Sequence, residues 1–491
     1  MRTVRWMILA AFVALIGTTT PSSVSSQQPL WVRHSTQGGP GVMLVDSSGY
    51  VYLALQGWRH GTGYDYLTLK YDADGNQVWH QYYTGQTITY SDFPTGIAED
   101  AAGNVIVTGV VDIEVNNTAG TGIGTVKYYP WGTQAWSRRL NSSTNTFPRN
   151  GARAIATDSL SNIYVTGASK RANDQNLLSD DIVTVSYGPS GNQRWLSIFA
   201  TGNLDEEGYV IKVNSLTGEV YVAGYSHFYP ILIQYNSSNG HRQWSHQDLD
   251  AQGEIRSIAI DTAGNVYVTG LEATYMTNNI FISKYSRTGV RQWRRVYDSG
   301  GNDSVSKIEV DVLGNVYVGG TTRGTSTGND CTVLKYNTHR VLQWVRNYHH
   351  GDDIVSDMAV AFLSGDVYIT GRSSNKITTL KYDTNGNLQW TRRYEHKNGT
   401  GVGIRLYEYE LGLATVYVLA STQGGFTLIK CPPCYVEGDV DGNCCVDDGD
   451  LLETLFGFGQ TGIDLKGDLN SDGVVDDADL LIVLFNFGSG C

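Results

Sequence analysis

A unit made of a tight turn, an apolar run, a loop, a second apolar run, another turn and a tryptophan recurs along most of this chain. Such repetition restricts the fold more than any other property. The clearest copy is Asp261-Thr-Ala-Gly-Asn-Val-Tyr-Val-Thr-Gly270, then Phe281-Ile-Ser-Lys-Tyr285, then Gly289-Val-Arg-Gln-Trp293. The Val-Tyr-Val element appears at Val51–Leu53, Val105–Val107, Ile163–Val165, Val220–Val222, Val266–Val268, Val316–Val318, Val367–Ile369 and Val416–Val418. Tryptophans close the unit at Trp79, Trp136, Trp195, Trp244, Trp293, Trp344 and Trp390, between 46 residues (344 to 390) and 59 residues (136 to 195) apart. Trp31 stands alone at the start. This spacing is the length of one four-stranded propeller blade.

Each unit supplies four runs of four to six residues rich in Val, Ile, Thr and Tyr and bounded by Gly, Asn or Asp, which read as strands. Two connections per unit are turns of the form Asp-x-x-Gly-Asn, as at Asp100–Asn104, Asp261–Asn265, Asp311–Asn315, Asp72–Asn76 and Asp383–Asn387. Asp bonds its own backbone two residues on, and Gly and Asn accept positive φ, so the repeated Asp is read as a turn residue and not a catalytic one. Antiparallel strands alternate direction, so all the tight turns fall on one face of the disc. The variable connections 110–123, 140–151, 168–180, 321–330 and 348–354 fall on the other, the expected binding surface. The final unit lacks its tryptophan strand, while Trp31-Val-Arg33 has no strands before it. Joining the two predicts a mostly β, eight-bladed β-propeller closed by the N-terminal strand, with no open edge.

These segments, with Lys381-Tyr-Asp-Thr-Asn-Gly-Asn-Leu-Gln-Trp390, resemble the secreted bacterial β-propeller (SBBP-type) repeat family over about 400 residues. The family implies a scaffold and no defined chemistry. The pattern is also similar to quinoprotein-type repeats, in which a tryptophan after a glycine turn docks between blades.

The formal charge of −13 is local: eleven Asp, two Glu and one Lys from Tyr435 to Cys491 leave the rest of the chain nearly neutral. The tail holds Asp439-Val-Asp-Gly-Asn-Cys-Cys-Val-Asp-Asp-Gly-Asp450 and, 29 residues later, Asp468-Leu-Asn-Ser-Asp-Gly-Val-Val-Asp-Asp-Ala-Asp479. Oxygen side chains fall at loop positions one, three, five, nine and twelve, and position seven (Cys445, Val474) offers a backbone carbonyl, the donor set calcium takes. Each loop runs into an apolar helical pattern: Leu451, Leu452, Leu455 and Phe456, then Leu480, Leu481, Leu484 and Phe485. This density of carboxylates repels itself without cations, so the tail is expected to need the ion to fold. Two loops each followed by one helix resemble the type I dockerin. By that resemblance Asp439, Asp441, Asn443, Asp447 and Asp450 bind one Ca2+ and Asp468, Asn470, Asp472, Asp476 and Asp479 a second, in a small α domain with two EF-hand-type loops. Asp replaces the usual EF-hand Glu at position twelve, as in dockerins. Cys444 stands where the sharp turn takes Gly, and Asp448-Gly449 and Asp477-Ala478 differ from the hydroxyl pair of cellulosomal dockerins. The partner so implied is a cohesin-like or cell-surface protein.

Arg2 and Arg5, the apolar run Trp6–Ile16 and the polar stretch after it read as a secretory signal peptide. The run is too short to span a membrane. The expected division is 1–26 signal peptide, 27–431 propeller, 432–437 linker and 438–491 dockerin-like domain, in a secreted or cell-surface protein. Few basic residues argue against a nucleic-acid partner. Five of six cysteines lie between Cys431 and Cys491, where disulfides persist in a secreted chain. Cys491 is expected to bridge to Cys431, Cys434, Cys444 or Cys445, the last foremost, with Cys331 a buried thiol.

Three function classes compete. The first is a binding or scaffold protein, with a glycan or protein ligand on the propeller loop face and calcium-dependent attachment by the tail. The second is a polysaccharide-degrading enzyme, whose acids (Glu206, Glu207, Glu272, Asp352) cannot be paired from sequence. The third is a quinoprotein-like dehydrogenase, for which the ring carries no cofactor signature. His349-His-Gly-Asp-Asp353 could bind a metal, but reads first as a solvated loop. The first class is preferred, with no catalytic residue assigned.

Overall fold

The computed structural model describes residues 29–39, 41–86, 91–115, 118–140, 150–172, 178–202, 204–324, 328–410, 413–432, 438–440, 446–462, 465, 467–470 and 472–489. The expected signal peptide lies outside them. One repeat shows how sequence becomes structure. Gly253–Ile260, Val266–Ala273, Asn278–Tyr285 and Arg291–Tyr297 pair antiparallel in chain order. Val266, Tyr267, Val268, Thr269 and Gly270 are all buried, because the second strand is covered by neighbouring sheets on both faces, so its sequence does not alternate. The outermost strand is half-buried or exposed along its length except at Trp293, which it buries.

The Asp turns are hydrogen-bonded units. Asp261 Oδ1 accepts from the amides of Ala263 and Asn265 at 3.0 and 2.8 Å, and its Oδ2 accepts from the Asn265 amide group and the Tyr267 hydroxyl at 2.8 and 3.1 Å. In this repeat the tyrosine of Val-Tyr-Val is thus buried with its hydroxyl satisfied by the turn before it. A bulge follows in the innermost strand, between Ile255 and Ser257, and the backbone there comes so close to Gly270 that a Cβ would overlap the Glu254 carbonyl. That close approach explains the glycine after Val-Tyr-Val-Thr.

Consecutive sheets are joined by the tryptophans. Trp79 Nε1 donates to Pro130 O, Trp136 Nε1 to Pro189 O and Trp195 Nε1 to Ser237 O, each at 2.9–3.0 Å in the turn of the next repeat. Apolar cores fill the gaps between neighbouring sheets; Ile280, Ile282 and Trp293 of one sheet meet Ile308, Val316 and Leu334 of the next. Burying such a side chain is worth about 1.5–3 kcal/mol. The innermost strands touch in cyclic order: Gly41–Val45, Phe93–Glu99, Asn150–Thr157, Glu206–Val213, Gly253–Ile260, Ser304–Val310, Asp353–Val360, the strand Leu388–Glu410, and back to Gly41–Val45. Trp31–Ser35 pairs antiparallel with Gly425–Cys431, and Trp31 Nε1 donates to Ala73 O at 3.0 Å, so the first of the described strands docks the last sheet onto the first repeat.

Two parts of the expected fold are corrected. Among the described residues the strands form seven sheets, not eight separate blades: six of four strands and one of seven. The cause is Leu388–Glu410, a continuous strand of 23 residues, which pairs with Lys376–Tyr382 at one end and Leu413–Thr422 at the other. No break in hydrogen bonding therefore separates the last two repeats. Nor is the dockerin-like α domain found among the described residues. Among the described residues the only helices are α1 (Asp448–Gly457) and α2 (Asp477–Asn486), ten residues each. A helical domain needs an apolar core, and the described tail buries only Val446, Val475 and Val483 among its apolar side chains.

Candidate functional site

The tail repeats itself in detail. Asp447 caps α1 by accepting from Gly449 N at 2.7 Å, and Asp476 caps α2 by accepting from Ala478 N at 2.8 Å. Asp450 accepts from the amides of Val440 (2.5 Å) and Asp447 (2.9 Å), and Asp479 from those of Leu469 (2.7 Å), Asn470 (3.0 Å) and Asp476 (2.9 Å). These are capping boxes in which an Asp at the third helical position reaches back into the loop. The halves also clasp: Val446 N donates to Ser489 O (2.9 Å) and Val475 N to Gln460 O (3.0 Å), while Gly488 N donates to Val446 O and Gly459 N to Val475 O. Every partner is shifted by the 29 residues that separate the loops.

Of the expected metal ligands, Asp441, Asn443 and Cys445 lie outside the described residues, leaving Asp439, Asp447 and Asp450 of the first loop. In the second, Asp468 accepts from Asp472 N and Gly473 N at 3.1 and 2.9 Å, Asn470 Oδ1 from Asp472 N at 2.9 Å, and Asp472 Oδ1 from Val474 N at 2.9 Å. Asp468, Asn470, Asp472 and Val474 thus lie in one short loop, with Asp476 and Asp479 at the start of its helix, but no three of these carboxylates bring ligand atoms within 4.8 Å of one another. Burial raises the Asp468 carboxyl above its ordinary range, and the charges of Asp479 and Asp472 add to this. A divalent cation would relieve both effects, and oxygen-only donors suit a hard ion.

The helices turn their large apolar side chains outward, which the helical pattern alone did not reveal. Phe456 and Phe485 are each 75% exposed, Leu455 and Leu484 each 48%, Phe458 and Phe487 each 48%, and Leu452 and Leu481 51% and 48%. Two apolar faces with matching exposure are far more than scattered surface residues.

On the loop face of the ring, the acids outside the repeat template are dispersed. Glu206 accepts from Thr201 N at 2.9 Å, Glu207 pairs with Arg153, Glu272 with Arg294 at 2.7 Å, and Asp352 with Arg372 at 3.1 Å. Each is held by its own partner, which suits structural roles better than an acid–base pair. One cluster does form: Asp330, His349 and Asp353 bring ligand atoms within 4.8 Å of one another, with His349 Nδ1 donating to Asp330 Oδ1 at 2.8 Å. Sequence drew attention to His349 and Asp353, whereas Asp330 is 19 residues away and arrives through the pairing of Cys331 with Tyr348. Cys331 and Cys431 are buried free thiols, so the expected staple does not involve Cys431; burial raises both thiols above their ordinary pKa. Cys434, Cys444, Cys445 and Cys491 lie outside the described residues.

Among the described residues no helix is long and apolar enough to cross a membrane. A family model for the SBBP β-propeller repeat matches residues 243–271, which run from the strand of Trp244 to that of Val266. No curated protein matches the chain. Among solved structures the chain is similar to the Dos1 propeller, with a TM-score of 0.55 at 10% identity over 82% of this chain and 95% of that one. It is also similar to Chaetomium thermophilum Sqt1 bound to the N-terminus of the ribosomal protein L10, with a TM-score of 0.52 at 11% identity over 81% of this chain and 97% of that one. The chain has the β-propeller fold, and one stretch of it, residues 243–271, is similar to the SBBP β-propeller repeat.

Proposed function

We propose that this protein is an exported binding protein whose ring offers its loop face to a ligand and whose tail fastens it to a surface partner when calcium is bound. The single observation that carries this reading is the pair of outward apolar faces on α1 and α2. Exposed phenylalanines and leucines on this scale need a covering partner. In the reading, Asp439, Asp441, Asn443, Cys445, Asp447 and Asp450 hold one calcium ion and Asp468, Asn470, Asp472, Val474, Asp476 and Asp479 the other, fixing the helices that present the apolar side chains. The ring's likeness to a propeller solved with a ribosomal protein segment supports a protein ligand, and the variable loops make one face the place for it. The charged, apolar and polar order of residues 1–26 supports export.

The test uses the full-length protein and the envelope fraction of its source cell. Association is expected in millimolar calcium and is expected to fall at least about tenfold in chelator, or when Phe456 and Phe485 are both changed to Asp, a loss of about 1.4 kcal/mol. Calorimetry on the same protein is expected to show two calcium equivalents, and one for Asp479→Asn. Association indifferent to calcium and to the Phe changes would contradict the reading.

A further inference from the structure

We infer that the loop face of the ring carries a second kind of metal site, formed by Asp330, His349 and Asp353 and suited to a first-row transition ion such as Zn2+ or Mn2+. The position of Asp353 has counterparts around the ring that show what such an acid does without a metal. Asp92 immediately precedes its innermost strand and uses both oxygens, Oδ2 accepting from Gly85 N at 2.5 Å and Oδ1 from Asp112 N at 2.6 Å. Asp303 likewise uses both, accepting from Ser299 N at 3.2 Å and the Ser299 hydroxyl at 2.5 Å. These acids cap the loop that enters the strand. Asp353 caps its loop with one oxygen only, Oδ2 accepting from His350 N at 2.6 Å. Its Oδ1 is buried in a fully buried side chain and meets no hydrogen-bond donor among the described residues.

A buried carboxylate oxygen left without a partner is costly, and more so beside the second buried carboxylate, Asp330. Glu206 also leaves Oε2 unpartnered, but among the described residues three ligand groups assemble only at Asp330, His349 and Asp353. The difference is the imidazole. In the first repeat the residue at the position of His349 is Thr84, since Tyr66 pairs with Tyr83 there as Cys331 pairs with Tyr348. Nearby, Arg372 pairs with Asp352 and Arg393 with His350 Nε2. A divalent ion would replace the proton that His349 Nδ1 directs at Asp330 and would take up the second oxygen of Asp353. One nitrogen and two carboxylate oxygens suit Zn2+ or Mn2+ better than Ca2+, which prefers oxygen alone. His349 is 41% exposed, so the ion has an entry path and keeps a coordination position open to water or to a ligand on this face.

The experiment is equilibrium dialysis of the full-length chain against ZnCl2 or MnCl2 in saturating calcium, which keeps the tail carboxylates occupied. One transition ion per chain is expected. His349→Ala is expected to weaken its binding more than about tenfold, the least that a lost ligand or its supporting partner costs. Because His349 is at the surface, the metal-free variant should melt as the parent does. Pulsed EPR of bound Mn2+ should show a nitrogen coupling that this variant loses, and Asp330→Asn offers a second route if the first variant folds poorly. No transition ion bound in the parent, unchanged binding in His349→Ala, or an ion lost instead with Asp479→Asn would each overturn the inference.

Discussion

The ring and the tail both bury aspartates against backbone amides, yet they are held together by opposite means. In the ring the acid serves a turn, and the stabilisation lies in apolar cores between sheets and in tryptophans bonded to the next repeat. In the tail the apolar side chains face outward and the order rests on carboxylates crowded into two loops. One residue type can thus be structural by repetition or, in the function proposed above, ion-binding by density. What separates the cases is how many carboxyls share one short loop, since in both the carboxyls accept from backbone amides of their own turns. The ring should therefore be indifferent to calcium and sensitive to packing, and the tail the reverse.

The strongest way to break that contrast is at the seam. Trp31→Ala removes the bond to Ala73 O and the face against which Gly75 packs, and is expected to cost the ring about 3 kcal/mol, as large-to-small changes in packed sites do. Denaturant unfolding followed by tryptophan fluorescence reads the loss, while calcium stoichiometry in the tail should not change. Next in size is a pair of glycine changes. Gly240 has φ +72° and a Cβ there would sit 2.5 Å from Trp195, whereas Gly61, at φ +92°, has open space around it. Gly240→Ala should cost about 2–3 kcal/mol and Gly61→Ala about 1 kcal/mol, the part due to backbone strain alone. Equal costs would mean that the tryptophan dock contributes nothing.

The smallest effect is on pH dependence. Burial pushes the Asp92 carboxyl up to about 6, and burial also raises Asp303 and Glu206. A carboxyl raised in the folded state contributes stability that is present below its unfolded pKa and is lost as pH rises through its folded value. With calcium saturating, the melting temperature of the ring should thus fall by a few degrees between pH 5 and 7. Calcium affinity of the tail should move the other way, because Asp468 must lose its proton to bind. A ring that gains stability across that interval would contradict the assignment.

Much of the ring could be read from residues. Val-Tyr-Val, Asp-x-x-Gly-Asn and the tryptophan spacing carry the strands, the turns and the pairing of the Trp31 strand, because each is dictated by local backbone chemistry. Continuity of Leu388–Glu410 was not legible: Asn398-Gly399-Thr400-Gly401 has the composition of a turn, and hydrogen bonding to strands on either side overrides it. Nor did the sequence give the direction of the tail's apolar face, since a helical period shows which residues share a side and not whether anything covers it. Asp330 was hidden for a third reason, a cross-strand register that no short motif contains.

The most direct test of the central contrast is hydrogen exchange of the full-length protein, read by mass spectrometry in saturating calcium and in chelator. The account predicts that chelation removes protection from residues 446–489, including both helices, and leaves the sheets from Trp31 to Cys431 unchanged. Equal protection of the tail in both conditions, or loss of protection that spreads through the ring, would contradict it.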